Sequence, residues 1–168
     1  MKKLIFFLVL FTVCITNSLK SYSTDPKLFV QELVTEAIGK LSNKSLSDEE
    51  KFKFIEKVAL DNVDINALGL YTLGELRNST NKEGIVKYQK IFERYFLKNL
   101  TSRLKDYSSS RFIVTSVEQK SANYTIVRSK VSPEDGGVDI KIDWRVYTKN
   151  PNKPLIRDLI VEGLSLAR

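Results

Sequence analysis

The stretch from Gly136 to Thr148, GGVDIKIDWRVYT, decides the fold. In it Val138, Ile140, Ile142, Trp144 and Val146 alternate with Asp139, Lys141, Asp143, Arg145 and Tyr147, which is the period-two signature of a strand with one dry and one wet face. Burying the five apolar side chains contributes roughly 8–15 kcal/mol at about 1.5–3 kcal/mol each, an upper bound because an unfolded chain already hides part of that area. Such a face demands a cover, and what covers it bears directly on function.

Working outward, the same code holds for everything after Ser108-Ser109-Ser110. Candidate strands are Phe112 to Glu118, Asn123 to Val131, Val138 to Thr148 and Leu155 to Leu166. They are separated by Lys120-Ser121-Ala122, Pro133-Glu134-Asp135-Gly136-Gly137 and Asn150-Pro151-Asn152-Lys153-Pro154, and links this short make neighbouring strands antiparallel. Upstream the period is helical. Thr24-Asp25-Pro26 offers a cap and a first-turn proline before Leu28, Phe29, Leu33, Val34, Ala37, Ile38 and Leu41, predicting a helix over 26–41. Ser47-Asp48-Glu49-Glu50 is a capping box ahead of Phe52, Ile55, Val58 and Ala59. Between Asn62 and Arg77, interruptions at Gly69 and Gly74 predict two short helices with a bend, capped by Asp64 or Asn62. After Asn78-Ser79-Thr80-Asn81, the residues Ile85, Tyr88, Ile91, Phe92, Tyr95, Phe96, Leu100, Leu104 and Tyr107 keep helical spacing, which predicts a helix of about 25 residues and roughly 38 Å. The expected class is α+β, with N-terminal helices packed on one face of a four-stranded antiparallel meander sheet and an apolar slot between the layers.

The chain has 168 residues, 42% hydrophobic and 28% charged, enough for one domain with a real core. Met1-Lys2-Lys3 and the apolar run Leu4 to Ile15 read as a secretory signal peptide too short to span a bilayer. Cleavage is expected near Thr16-Asn17-Ser18 or Ser21-Tyr22-Ser23, with the second preferred, giving a leader over 1–23 and a domain over 24–168. An uncleaved anchor is the alternative. The net charge of +7 includes Lys2, Lys3 and Lys20, and removing these three leaves +4, a weak argument for nucleic acid. Cys14, the only cysteine, lies in the apolar run behind bulky Val13, so neither a disulfide nor a lipid anchor is expected in the mature protein. An exported domain without disulfides fits a bacterial periplasm.

Absent residue types narrow the chemistry. With no histidine anywhere, a nucleophile–histidine site or a zinc site of nitrogen and sulfur ligands is excluded, and no glycine-rich phosphate loop is present. No cofactor or metal is expected. What remains for an enzyme is a pair among Asp64, Asp143, Asp158 and Glu162. Asp158 and Glu162, four residues apart on one strand, sit about 13 Å apart, and simple pairing of these acids with Arg128, Arg145 or Arg157 is the plainer reading. The aromatic stripe Tyr88, Phe92, Tyr95, Phe96 and Tyr107 is ordinarily core. The helical half nonetheless supplies more apolar faces than one sheet needs, so a gap between the layers would be lined by hydrocarbon and suit acyl chains.

Two segments then become recognisable together. Val63-Asp64-Ile65-Asn66-Ala67 through Leu73-Gly74-Glu75-Leu76-Arg77, followed by Tyr88, Phe92 and Tyr107, and the closing run Arg157-Asp158-Leu159-Ile160-Val161-Glu162-Gly163-Leu164-Ser165-Leu166 resemble the MlaC family of periplasmic phospholipid-transport, or toluene-tolerance, proteins. The closing run looks like that family's D-x-x-V-E-G-V-S-L strand. The resemblance implies a monomeric, non-enzymatic periplasmic carrier. It would shuttle phospholipid between an outer-membrane lipoprotein–porin complex and an inner-membrane ABC transporter, helping to keep outer-membrane lipid asymmetry. It also implies a chain that continues past Arg168, so that the domain is truncated here. The expected lipid-binding residues are Ile140, Ile142, Trp144 and Val146 from the central strand, Tyr124 and Ile126 from its neighbour, and Leu70, Leu73, Phe92 and Phe96 from the helices. The choice among Ile156, Leu159, Ile160 and Val161 stays open because the last strand is apolar on both faces. The rival reading is a small cone-shaped α+β enzyme with Asp158 or Glu162 as the base.

Overall fold

The computed structural model describes residues 21–104, 110–134 and 136–165. The leader up to Lys20 with Cys14, the stripe's last aromatic Tyr107, and Leu166 to Arg168 lie outside the described residues.

Five helices come first: α1 (Pro26–Ser42), α2 (Asp48–Asn62), α3 (Ile65–Thr72), α4 (Leu76–Ser79) and α5 (Lys82–Leu104). Their starts follow local chemistry. Asp25 accepts the Leu28 N–H at 2.9 Å, Ser47 and Glu50 form a reciprocal capping box, and Asp64 accepts the Ala67 N–H at 3.1 Å, each satisfying a first-turn amide that has no helical partner. Gly69 does not interrupt its helix as expected. It is buried inside α3, where a Cβ would lie 3.0 Å from Phe92 Cδ1, so its role is to let α3 and α5 approach closely. The bend falls at the other expected interruption, Gly74, whose φ of +54° suits glycine.

The sheet has five strands rather than four: β1 (Ser110–Ser121), β2 (Tyr124–Pro133), β3 (Ile140–Tyr147), β4 (Leu155–Val161) and β5 (Leu164–Ser165), in the order β1-β2-β3-β4-β5 with every neighbour antiparallel. The expected final strand 155–166 is a hairpin. Glu162 and Gly163 have φ of +49° and +83°, the two positive values of a tight turn that folds Leu164–Ser165 back on Ile160–Val161. The Glu162 carboxylate accepts the Lys141 N–H, which ties the strained residue to β3. β3 itself begins at Ile140, two residues later than expected, and Val138 is 87% exposed in the link before it.

α1 lies on the sheet. Phe29, Val30, Leu33 and Val34 form one cluster with Val127 of β2, Trp144 and Val146 of β3 and Ile156 of β4. Tyr22, inside the expected leader, joins this cluster edge-on to Phe29 with ring centroids 6.1 Å apart. Its hydroxyl donates to Glu36 at 2.9 Å, and burial followed by that bond pushes its ionisation up. The exposed edge of β4 is shared, with β5 at one end and Val63 at the other, where Val63 bridges Ile156 in parallel and Asp64 N–H donates to the Ile156 carbonyl at 2.8 Å.

Candidate functional site

The dry face of the sheet is only partly covered. At one end Val127, Val146 and Ile156 are no more than 1% exposed beneath α1. Toward the other end Ile140, Ile142, Phe112, Leu159 and Val161 are half-buried around a buried Val131, leaving part of that hydrocarbon within reach of solvent. Of the four β3 residues expected at the site, Val146 and Trp144 are therefore core and Ile140 and Ile142 flank the open end. Trp144 is 8% exposed, meets Phe112 edge-on at 6.2 Å and donates its indole N–H to Ser129 Oγ at 2.8 Å.

Tyr124 and Ile126 do not join them. They pair with Tyr147 and Arg145, and directly opposed residues of antiparallel strands share a face, so both point away from Trp144. The α1 side of β2 is carried by Thr125, Val127, Ser129 and Val131, all buried. The wet phase was marked by Arg128 and Lys130, which share the parity of Tyr124 and Ile126. On β4 the register slips between Arg145 and Val146, a bulge at Arg157 that sets Ile156, Leu159 and Val161 on the Trp144 face and Ile160 on the other. That slip is why the strand looks apolar on both faces.

From the helices, Leu70, Leu73, Phe92 and Phe96 are half-buried. Tyr88, Phe92 and Phe96 form a stacked ladder along α5 with successive centroids 6.1 Å apart. The Tyr88 hydroxyl lies 2.8 Å from that of Thr72, so the first ring of the ladder is fixed against the C-terminal end of α3. The ten expected residues thus divide among a half-open sheet end, a half-buried helical ladder, the core, and, for Tyr124 and Ile126, the opposite face.

That opposite face is a lattice of charges. Arg128 bridges Glu118 at 2.6 Å and Asp143 at 3.5 Å, Arg145 meets Asp158 at 3.5 Å, and Arg157 holds Asp64 at 2.8 Å. Arg157 also lies 3.5 Å over the Tyr147 ring and donates to the Tyr124 hydroxyl at 3.2 Å. Burial works against its charge, yet the bonds to Tyr124 and Asp64 outweigh it and hold the guanidinium above its ordinary value. Three of the four carboxylates open to catalysis are thus in ion pairs, and Glu162 braces the hairpin. Asp158 accepts from Ser165 Oγ at 2.7 Å, while its second oxygen is buried without a hydrogen-bond partner among the described residues. No group of three or more potential metal ligands occurs among them either. Two concavities, of about 500 Å³ beside Leu28 and Thr35 and about 180 Å³ between Val63, Glu93 and Leu155, contain none of the ten residues.

The profile of a protein family, the MlaC protein, matches residues 31–168. The chain belongs to the MlaC family. Its fold is that of a phospholipid-binding protein from Ralstonia solanacearum, solved in complex with a phospholipid, at a TM-score of 0.67 and 16% identity over 82% of this chain and 78% of that one. No curated protein matches significantly. In this chain the closing run forms the β4–β5 hairpin and the Arg157 bulge, while Asp64 serves as both the α3 cap and the partner of Arg157.

Proposed function

We propose that this protein is a periplasmic phospholipid carrier that moves lipid between an outer-membrane complex and an inner-membrane ABC transporter. Membership of the MlaC family supports the reading, and so does the likeness in fold to a protein solved with a phospholipid. The single observation that carries it is the half-covered dry face, where Ile140, Ile142, Phe112 and Leu159 remain half-buried. Each methylene left in water costs about 0.8 kcal/mol, so such a surface favours acyl chains and leaves a head group wet.

In this reading the tails lie between the open sheet end and the helical ladder at Phe92 and Phe96, with Trp144 as the rigid floor. The role needs no catalysis, and the rival enzyme loses support because Asp158 pairs with Arg145 and Glu162 occupies a turn. The contacts of Tyr22 with Phe29 and Glu36 favour leader cleavage at Thr16-Asn17-Ser18 over cleavage after Ser23. The test is to purify the exported protein under native conditions, extract it with organic solvent and weigh the extract by mass spectrometry. Co-purified phospholipid in stoichiometric amount is expected, and a clean, empty protein contradicts the carrier.

A further inference from the structure

Helix α5 has a second face, opposite its aromatic ladder. Lys82, Val86, Lys90, Arg94 and Lys98 follow one another at four-residue spacing, with Lys87, Ile91 and Tyr95 in the adjacent row, and all eight are exposed. Val86 is 50%, Ile91 49% and Tyr95 65% exposed, high values for apolar and aromatic side chains on one helix face. From Lys82 to Lys98 the stripe runs about 24 Å along a straight helix. Two acids accompany it, Glu83 in the second row and the half-buried Glu93 flanking the first.

An ordinary solvated helix balances its charges, as α2 does by pairing Lys53 with Glu49 and Lys57 with Asp61 one turn away. On α5 none of Lys82, Lys87, Lys90, Arg94 and Lys98 has an ion-pair partner among the described residues. Helix α5 as a whole carries six cations against Glu83 and Glu93, a net +4.

We propose that this strip docks the protein on a bilayer surface rich in anionic phospholipid. The five cations meet head-group phosphates while Val86, Ile91 and Tyr95 sink between the head groups, the division of labour of a basic helix lying in a membrane interface. A bilayer is favoured over an acidic protein because the strip is the convex outer face of one helix, its apolar residues are interleaved with the charges rather than gathered into a core, and Tyr95 has the amphipathic shape suited to head-group depth. The inference rests on charge and exposure and does not require the lipid-carrying role.

The experiment is vesicle flotation of the exported protein, wild type and variants alike, with equal parts phosphatidylglycerol and phosphatidylcholine or with phosphatidylcholine alone. Wild type should float with the anionic vesicles at least about tenfold more than with the neutral ones, and less as salt rises. The combined variant Lys87→Glu, Lys90→Glu, Arg94→Glu should fall to the neutral level, and Tyr95→Ser should weaken flotation severalfold. Unchanged circular dichroism and unchanged co-purified lipid keep folding and carrying separate from docking. Equal flotation of wild type on both vesicle types overturns the proposal, as does full flotation of the triple variant. So does a wild type that ignores anionic vesicles yet loses capture of an acidic protein when the charges are reversed.

Discussion

Ser129 stands in the centre of the sheet with two hydrogen bonds, one received from the Trp144 indole at 2.8 Å and one given to the Ile142 carbonyl at 3.0 Å. Replacing it by alanine strands a buried N–H. Ser129→Ala should cost about 1–3 kcal/mol in chemical denaturation while leaving the fold intact. The same residue explains why the face of β2 was misread from sequence. A dry row of Thr125, Val127, Ser129 and Val131 looks wetter than Tyr124 and Ile126, because short hydroxyls that are satisfied inside the sheet are indistinguishable in sequence from hydroxyls in solvent. Trp144 was legible as central, but its place in the core depended on α1 and on Phe112, both remote in the chain.

Elements were legible wherever a pattern was local. The caps of α1, α2 and α3, the 23-residue α5 and the meander order all follow from spacing and turn residues. What escaped were features made by packing and pairing: the continuity of α3 through Gly69, the Arg157 bulge, and the hairpin at Glu162-Gly163. Gly163 at φ +83° offers a direct check, since Gly163→Ala should destabilise by about 1–2 kcal/mol, read as a lowered denaturation midpoint. Cross-strand charge pairing supplies another. Hydrogen bonds from Lys120 and then Arg128 hold the Glu118 carboxyl below its ordinary 4.5, and Lys130 holds Asp139 below its ordinary 3.8. Because folding depresses both values, their contribution is present above those ordinary values and is lost as pH falls through the lowered ones. Thermal melts should therefore decline with acidification below about pH 4.5, and Glu118→Gln should flatten that decline.

At the scale of the whole molecule, one sheet has two unlike faces. The charged face, with Arg128, Arg145 and Arg157 each engaged by a carboxylate, accounts for three of the four acids that sequence alone left open as catalysts. The dry face is sealed by α1 at Val127, Val146 and Ile156 and left half-covered at Ile140 and Ile142. The composition of this face was readable from alternation, whereas the boundary between sealed and open halves depends on where a helix over a hundred residues upstream comes to rest. That boundary carries the functional account, and Ile142 sits on it. The measurement that tests it most directly is phospholipid per polypeptide in native preparations of wild type and Ile142→Asn, made in parallel and melted side by side. The account predicts about one phospholipid per wild-type chain, most of it lost from Ile142→Asn, with the melting temperature lowered by only a few degrees because a half-exposed amide keeps access to water. Equal lipid in both proteins, or collapse of the variant as for a fully buried site, would contradict it.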